Sequence, residues 1–288
     1  MLPSPHPCPL QSRAARWEGR LYLFFVTLLT LLTSLTAVYT LYHPPPRHPP
    51  LPTYHVPLQL SLVFLSLLSF FCCHFTHPGP PSLWSDLRPD LPHPLYPSQP
   101  PPAPRYCLPC SAPKPARVHH CRTCNACILR FDHHCVWLAT CIGQRNLKFF
   151  LLFLLYTTLA ATHATYVLLC FMRAIHQPHV HHFSTPRDVL AGAVAAPISL
   201  AVSVCAAFGV SCQLAWSMWL AARNETTLEH LVRTTENRAD ADRGGKELLV
   251  YDRGLVSNLM HALGGNPLLW LLPVYGGREG SLKGRWGD

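Results

Sequence analysis

Charge is what this chain has least of. Only 13% of its 288 residues are Asp, Glu, Lys or Arg, against 49% hydrophobic, which is too little charge to coat an ordinary soluble domain. Its thirty prolines cluster between apolar blocks and exclude one continuous compact core. The first apolar block, Leu21 to Tyr42, follows Arg13, Arg16 and Arg20 but lacks a small-residue cleavage site and is longer than a secretory h-region. It therefore reads as a membrane span and not as a signal peptide. Between Arg105 and Lys148 seven basic residues accompany a single carboxylate, Asp132.

Four blocks are long enough to cross about 30 Å of hydrocarbon as helices. They are 21–42, 56–75, 149–172 and 189–220, the last longer than one crossing needs and carrying Pro197 as an expected kink. An N-tail occupies 1–20, a proline-rich linker of polyproline character 76–104, a cysteine-rich segment 105–148 and a C-tail 221–288. Lys and Arg number three before the first span, eight between the second and third, and nine after the fourth, but only one and two in the remaining loops. The positive-inside rule then puts both termini and the cysteine-rich segment in the cytosol. The expected fold is an α-helical polytopic membrane protein with four transmembrane helices and a cytosolic two-zinc cysteine-rich domain between helices two and three. In that topology the sequon Asn224-Glu225-Thr226 stays unglycosylated, and His176, His179, His181 and His182 are solvated lumenal side chains.

The cysteine-rich segment contains a repeat. Cys107, Cys110, His120 and Cys127 form one spacing pattern, and Cys121, Cys124, His134 and Cys141 reproduce it fourteen residues later. Each set opens with C-x2-C and adds a histidine and a third cysteine, a closed four-ligand set suited to structural zinc. Three thiolates favour zinc over magnesium or calcium. Disulfides explain such pairs less well, because C-x2-C pairs bracketing histidines suit a metal. Spacing leaves open whether His119 or His120 serves the first set, and whether His133 or His134 serves the second. Zinc takes six of the thirteen cysteines and Cys135 is a seventh; Cys8, Cys72, Cys73, Cys170, Cys205 and Cys212 remain, most of them in or beside apolar blocks, as reduced thiols.

Carried one step further, the repeat sets Cys135 in the place of Cys107 and Cys121, but Leu138 stands where the partner thiol belongs. Asp132 takes the place of Val118 in the preceding unit. A thiol held between metal-bound loops without being ligated, beside a carboxylate and a histidine, points to covalent chemistry. Cys135 is the expected nucleophile, His133 its base and Asp132 the group that orients His133.

Asp132-His133-His134-Cys135, with Lys114-Pro115-Ala116-Arg117 ahead of it, resembles the cysteine-rich domain of the DHHC protein S-acyltransferases, the palmitoyltransferases. The resemblance implies that His120 and His134 go to zinc and that His133 stays beside the nucleophile. It also implies acyl-CoA as the acyl donor and cytosolic cysteines of membrane-associated proteins as acceptors. Two departures lie next to the thiol: Val136 where the family usually has proline, and Ala139-Thr140 where an asparagine pair usually stands. They bear on rate more than on reaction type.

Thr226-Thr227-Leu228-Glu229 resembles the family's TTxE motif and makes Thr226, Thr227 and Glu229 supporting residues, although a helix-capping box reads the same. Tyr251 to Val274 resembles its C-terminal element, with Asn266 in the place of the characteristic asparagine and Leu268 to Leu272 apolar enough to lie on a membrane. The basic segment suits anionic lipid headgroups or the phosphates of coenzyme A. Nucleic acid is not an expected partner, because spans two and three tether both flanks of the zinc domain. No lysine or KDEL signal ends the chain, so an endomembrane address, Golgi or ER, rests on the resemblance alone. A non-enzymatic zinc-binding membrane adaptor, or a zinc ligase of the ubiquitin system, accounts for ligands and spans. Neither accounts for an unligated Cys135 beside Asp132 and His133.

Overall fold

The structure is a computed structural model that describes residues 13–43, 51–79, 105–114, 117–176, 190–240 and 251–274. The linker from 80 to 104, Cys8, and His179, His181 and His182 lie outside the described residues. Four helices are long and apolar enough to cross a membrane: α1 (Arg13–Tyr42), α2 (His55–Phe75), α3 (Leu147–Ile175) and α4 (Ala196–Ala222). The chain is an integral membrane protein. α1 begins eight residues before the expected span and α3 overruns its span at both ends, since a helix need not stop where its apolar run does. Pro197 lies within the fourth span, at the second residue of α4 and directly after a π-helical turn, Leu190–Ala195.

The chain divides into two compact units. One comprises Leu23–Phe70 and Leu151–Ala215. Here Ala37, Ala164 and Ala196 meet with Val167 and Leu168, small residues that let helices approach closely where lipid supplies no hydrophobic drive. Several polar side chains inside these helices are paired with the backbone or with one another. The hydroxyls of Thr27, Thr30 and Thr36 return to the carbonyl one turn back, and Ser66 bonds Thr157 at 2.8 Å. A longer chain runs from the Ser34 hydroxyl through Gln59 and His163 to His55. Burying such groups unpaired in hydrocarbon would cost several kcal/mol each, on the order of the amide desolvation penalty.

The other unit gathers Met1–Tyr22, Phe71–Phe150 and Trp216–Asp288. Three antiparallel hairpins form its centre: β1 (Arg105–Cys107) with β2 (Ala112–Lys114), β3 (Val118–Cys121) with β4 (Ala126–Leu129), and β5 (His133–Cys135) with β6 (Thr140–Ile142). Helices α5 (Thr227–Asp240) and α6 (Leu255–Leu263) follow α4. The sequence repeat is the repeat of these hairpins, for Cys107 pairs with Ala112, Cys121 with Ala126 and Cys135 with Thr140. Ser111, Asn125 and Ala139, again fourteen apart, each take a left-handed backbone at φ 49°, 47° and 50°. Cys135 is thus the first cysteine of a third knuckle, and Leu138, fully buried, replaces the second. Strands of three or four residues bury too little to stand alone, so something other than a sheet core must hold them.

Candidate active site and metal sets

Alternation along a strand decides what each hairpin presents. Successive side chains point to opposite faces, and residues opposite one another across a pair share a face. His120 lies opposite Cys127, and His134 opposite Cys141. The C-x2-C pair of the neighbouring hairpin completes each set. His120 Nδ1 lies 3.5, 3.3 and 3.9 Å from the sulfurs of Cys107, Cys110 and Cys127. His134 Nδ1 lies 3.7, 3.3 and 3.5 Å from those of Cys121, Cys124 and Cys141. A tetrahedral ion with Zn–S of about 2.3 Å and Zn–N of about 2.1 Å has edges of roughly 3.5 to 3.8 Å, so both sets fit zinc. Each set joins two hairpins, the first linking hairpins one and two, the second linking two and three.

The same alternation turns His133 and Cys135 away from His134. His133 Nδ1 donates to Asp132 Oδ2 at 2.6 Å, which leaves its other ring nitrogen for Cys135, two residues on along β5. Two further donors converge on Asp132: the Thr227 backbone N–H reaches Oδ1 at 2.7 Å and the Thr227 hydroxyl reaches Oδ2 at 3.0 Å. Burial pushes the Asp132 carboxyl up, but the bonds from His133 and Thr227 outweigh it and hold it below the usual carboxylate range. Burial likewise disfavours a charged His133, yet Asp132 and Cys135 prevail and raise it to about 9. The Phe150 ring stands edge-on to the His133 ring at 5.4 Å between centroids. Cys135 itself is 7% exposed. A buried thiol, a base oriented by a carboxylate, and no metal partner make a site equipped for nucleophilic attack.

Residues 101–234 match the family model described as DHHC palmitoyltransferase. That central segment is similar to the DHHC palmitoyltransferases. The chain is 32% identical over 177 residues to probable protein S-acyltransferase 15 of Arabidopsis thaliana, covering 59% of this chain and 65% of the relative. With human palmitoyltransferase ZDHHC2 it shares 34% over 176 residues, 59% of this chain and 43% of the relative. Over 55 residues, 19% of this chain and 11% of the relative, identity to palmitoyltransferase pfa3 of Emericella nidulans reaches 64%. The chain spans less than two thirds of the length of each of these relatives.

Around the DHHC segment, the TTxE stretch is both motif and capping box. Thr226 Oγ1 accepts from the Glu229 N–H at 3.2 Å while Glu229 Oε2 accepts from the Thr226 N–H at 2.8 Å, the reciprocal cap that opens α5. Glu229 also receives a two-pronged bond from Arg117, Nε to Oε1 at 2.7 Å and Nη2 to Oε2 at 2.8 Å. Arg117 continues to the side chain and carbonyl of Asn224 and stacks over the Tyr251 ring at 4.2 Å. The arginine of K-P-x-R therefore braces the turn that delivers Thr227 to Asp132. Asn224 is 3% exposed and donates to the Tyr251 carbonyl, so its sequon is closed by burial.

In the C-terminal element the structure corrects the sequence reading. Asn266 is exposed and only caps the short 3-10 turn Pro267–Leu269, accepting from the Leu268 N–H. The buried asparagine is Asn258, which donates to the Ala222 carbonyl and Asp252 and accepts from the Arg253 N–H. Its mark in the sequence is that of a lone polar residue on the buried face of an amphipathic helix. Arg130, 2% exposed, is a further buried polar residue that no spacing pattern marks. Its Nη1 donates to His261 of α6 at 2.9 Å, and His261 is kept neutral, lowered to about 3 by burial and by Arg130, Arg117 and Arg253. Lys148 ties the first turn of α3 to the carbonyls of Leu269 and Val274. Asn146, fully buried, bonds Gly143, Cys141 and Cys73. His119 belongs to neither set and packs against Phe131.

Proposed function

We propose that this chain is a protein S-acyltransferase that moves a long-chain acyl group, palmitoyl as the relatives' names suggest, from acyl-CoA to cysteines of membrane-associated proteins. The observation that carries this reading is the unligated Cys135 on the same strand as a histidine that Asp132 orients. His133 takes the Cys135 proton, and the sulfur attacks the thioester carbonyl carbon. The C–S bond to coenzyme A breaks, and its sulfur leaves with the proton from His133. In the second half His133 deprotonates the acceptor thiol, which attacks the Cys135 thioester. Cys135 departs as thiolate and recovers its proton, so the enzyme returns unchanged. Asp132 holds the Nδ1–H tautomer through both halves, and Thr227 holds Asp132.

Zinc in the two Cys3His sets is structural in this proposal and takes no part in bond-making. The zinc-bearing side faces the cytosol of an endomembrane, in agreement with the Lys and Arg distribution. Long acyl chains gain about 0.8 kcal/mol per methylene by leaving water, which favours a thiol placed next to the ends of membrane spans. The test uses purified protein, a long-chain acyl-CoA and a lipidated peptide bearing one cysteine. Coenzyme A release in a burst of about one per enzyme without peptide, then steady acyl-peptide formation with it, is the expected result. Coenzyme A retained in both cases by folded, zinc-loaded protein would leave the adaptor reading in its place.

A further inference from the structure

The first two knuckles close around a metal ligand, Cys110 or Cys124, placed just before the left-handed residue. The third has Leu138 there, so its tip is fastened some other way. Three contacts do it. His74, near the end of α2, donates Nδ1–H to the Leu138 carbonyl at 2.7 Å. Tyr22 of α1 sets its ring at 73° to Trp137 with centroids 5.5 Å apart. Gly19 of α1 lies against Ala139, so close that a Cβ built on it would stand 2.6 Å from the Ala139 Cβ.

We infer that Gly19 is a positioning residue for the Cys135 thiol. Glycine is a poor choice inside a helix, and Gly19 is buried in α1; its missing side chain is what lets α1 seat against the knuckle. Ala139 is followed directly by Thr140, the cross-strand partner of Cys135. A methyl group at position 19 must push Ala139 away by about 1 Å to restore ordinary carbon–carbon contact near 3.5 Å. A displacement of that size at a reacting group costs up to about a hundredfold in rate. The alanine that departs from the family's asparagine is thereby coupled to a glycine 120 residues earlier.

The inference rests on the acyl-enzyme reading, and one experiment separates the two. Full-length protein in nanodiscs receives radiolabelled acyl-CoA, and the single-turnover labelling rate is read at saturating donor alongside the half-saturating donor concentration and zinc per chain. Gly19→Ala is expected to label at least about tenfold more slowly than wild type, with zinc content and half-saturation unchanged. Adding Ala139→Gly removes the colliding Cβ, leaves the built Cβ 3.8 Å from the Ala139 Cα position, and suits the left-handed φ. The double variant is expected to regain the rate of the Ala139→Gly single variant. Wild-type rate in Gly19→Ala, or a slow double variant, overturns the inference; an unlabelled wild type overturns the acyl-enzyme reading instead. Should Gly19→Ala fail to fold, recovery of folding and label in the double variant supports the inference, and no recovery overturns it.

Discussion

Asp132→Asn is expected to slow acyl-enzyme formation by about 10²- to 10⁴-fold while leaving both metal sets filled. Three donors meet the carboxylate: the Nδ1–H of His133, and the N–H and hydroxyl of Thr227. An ionised carboxylate accepts all three, whereas an amide offers one oxygen and a nitrogen that only donates. The backbone N–H of Thr227 cannot reverse its role, so it claims the amide oxygen. His133 then faces an NH₂ group and is forced into the opposite tautomer, with its proton directed at Cys135, where it cannot accept the thiol proton. Stopped single-turnover labelling with metal analysis in parallel measures the effect. A loss of less than tenfold would mean that Asp132 does not set the tautomer of His133.

Metal removal should act unequally on the two sets. Because the second set joins hairpins two and three, it is the set of the two that anchors the hairpin that carries Cys135; the first set anchors hairpin one, which carries no proposed catalytic group. Structural zinc in small domains contributes about 10–16 kcal/mol of apparent binding free energy, far beyond what strands of three residues can replace. Cys124→Ala is therefore expected to lose acyl-enzyme formation by at least about a hundredfold and to bind one zinc per chain. Cys110→Ala should also bind one zinc, yet keep a larger share of labelling. Equal losses in the two variants, each still holding one zinc, would contradict the linkage of ion to hairpin. Exhaustive chelation should abolish labelling and the thermal transition of the zinc-bearing hairpins together.

The parts of this account that were legible in the sequence are those written as spacing. The fourteen-residue repeat gave both metal sets and exposed Cys135 as the odd thiol, because ligand geometry constrains spacing tightly. The four spans were legible from length and polarity alone, and only their ends shifted, because backbone hydrogen bonding carries α1 and α3 past the apolar run. Contacts between distant segments left no such trace. Nothing in a run of residues announces that Arg117 meets Glu229, that Arg130 meets His261, or that Gly19 rests on Ala139. Asn266 lies outside a helix and is exposed, whereas Asn258 is buried because burial is decided by helix face. The choice between His133 and His134 needed a family pattern in the sequence, yet strand alternation in β5 separates them without any family knowledge.

The most direct test is the location of the acyl group. Wild-type protein incubated with labelled long-chain acyl-CoA and digested should yield one hydroxylamine-sensitive labelled peptide containing Cys135, and Cys135→Ser should yield no hydroxylamine-sensitive label at all. A thioester mapped to Cys72, Cys73 or another thiol, or persisting in Cys135→Ser, would contradict the assignment of Cys135 as the acyl carrier.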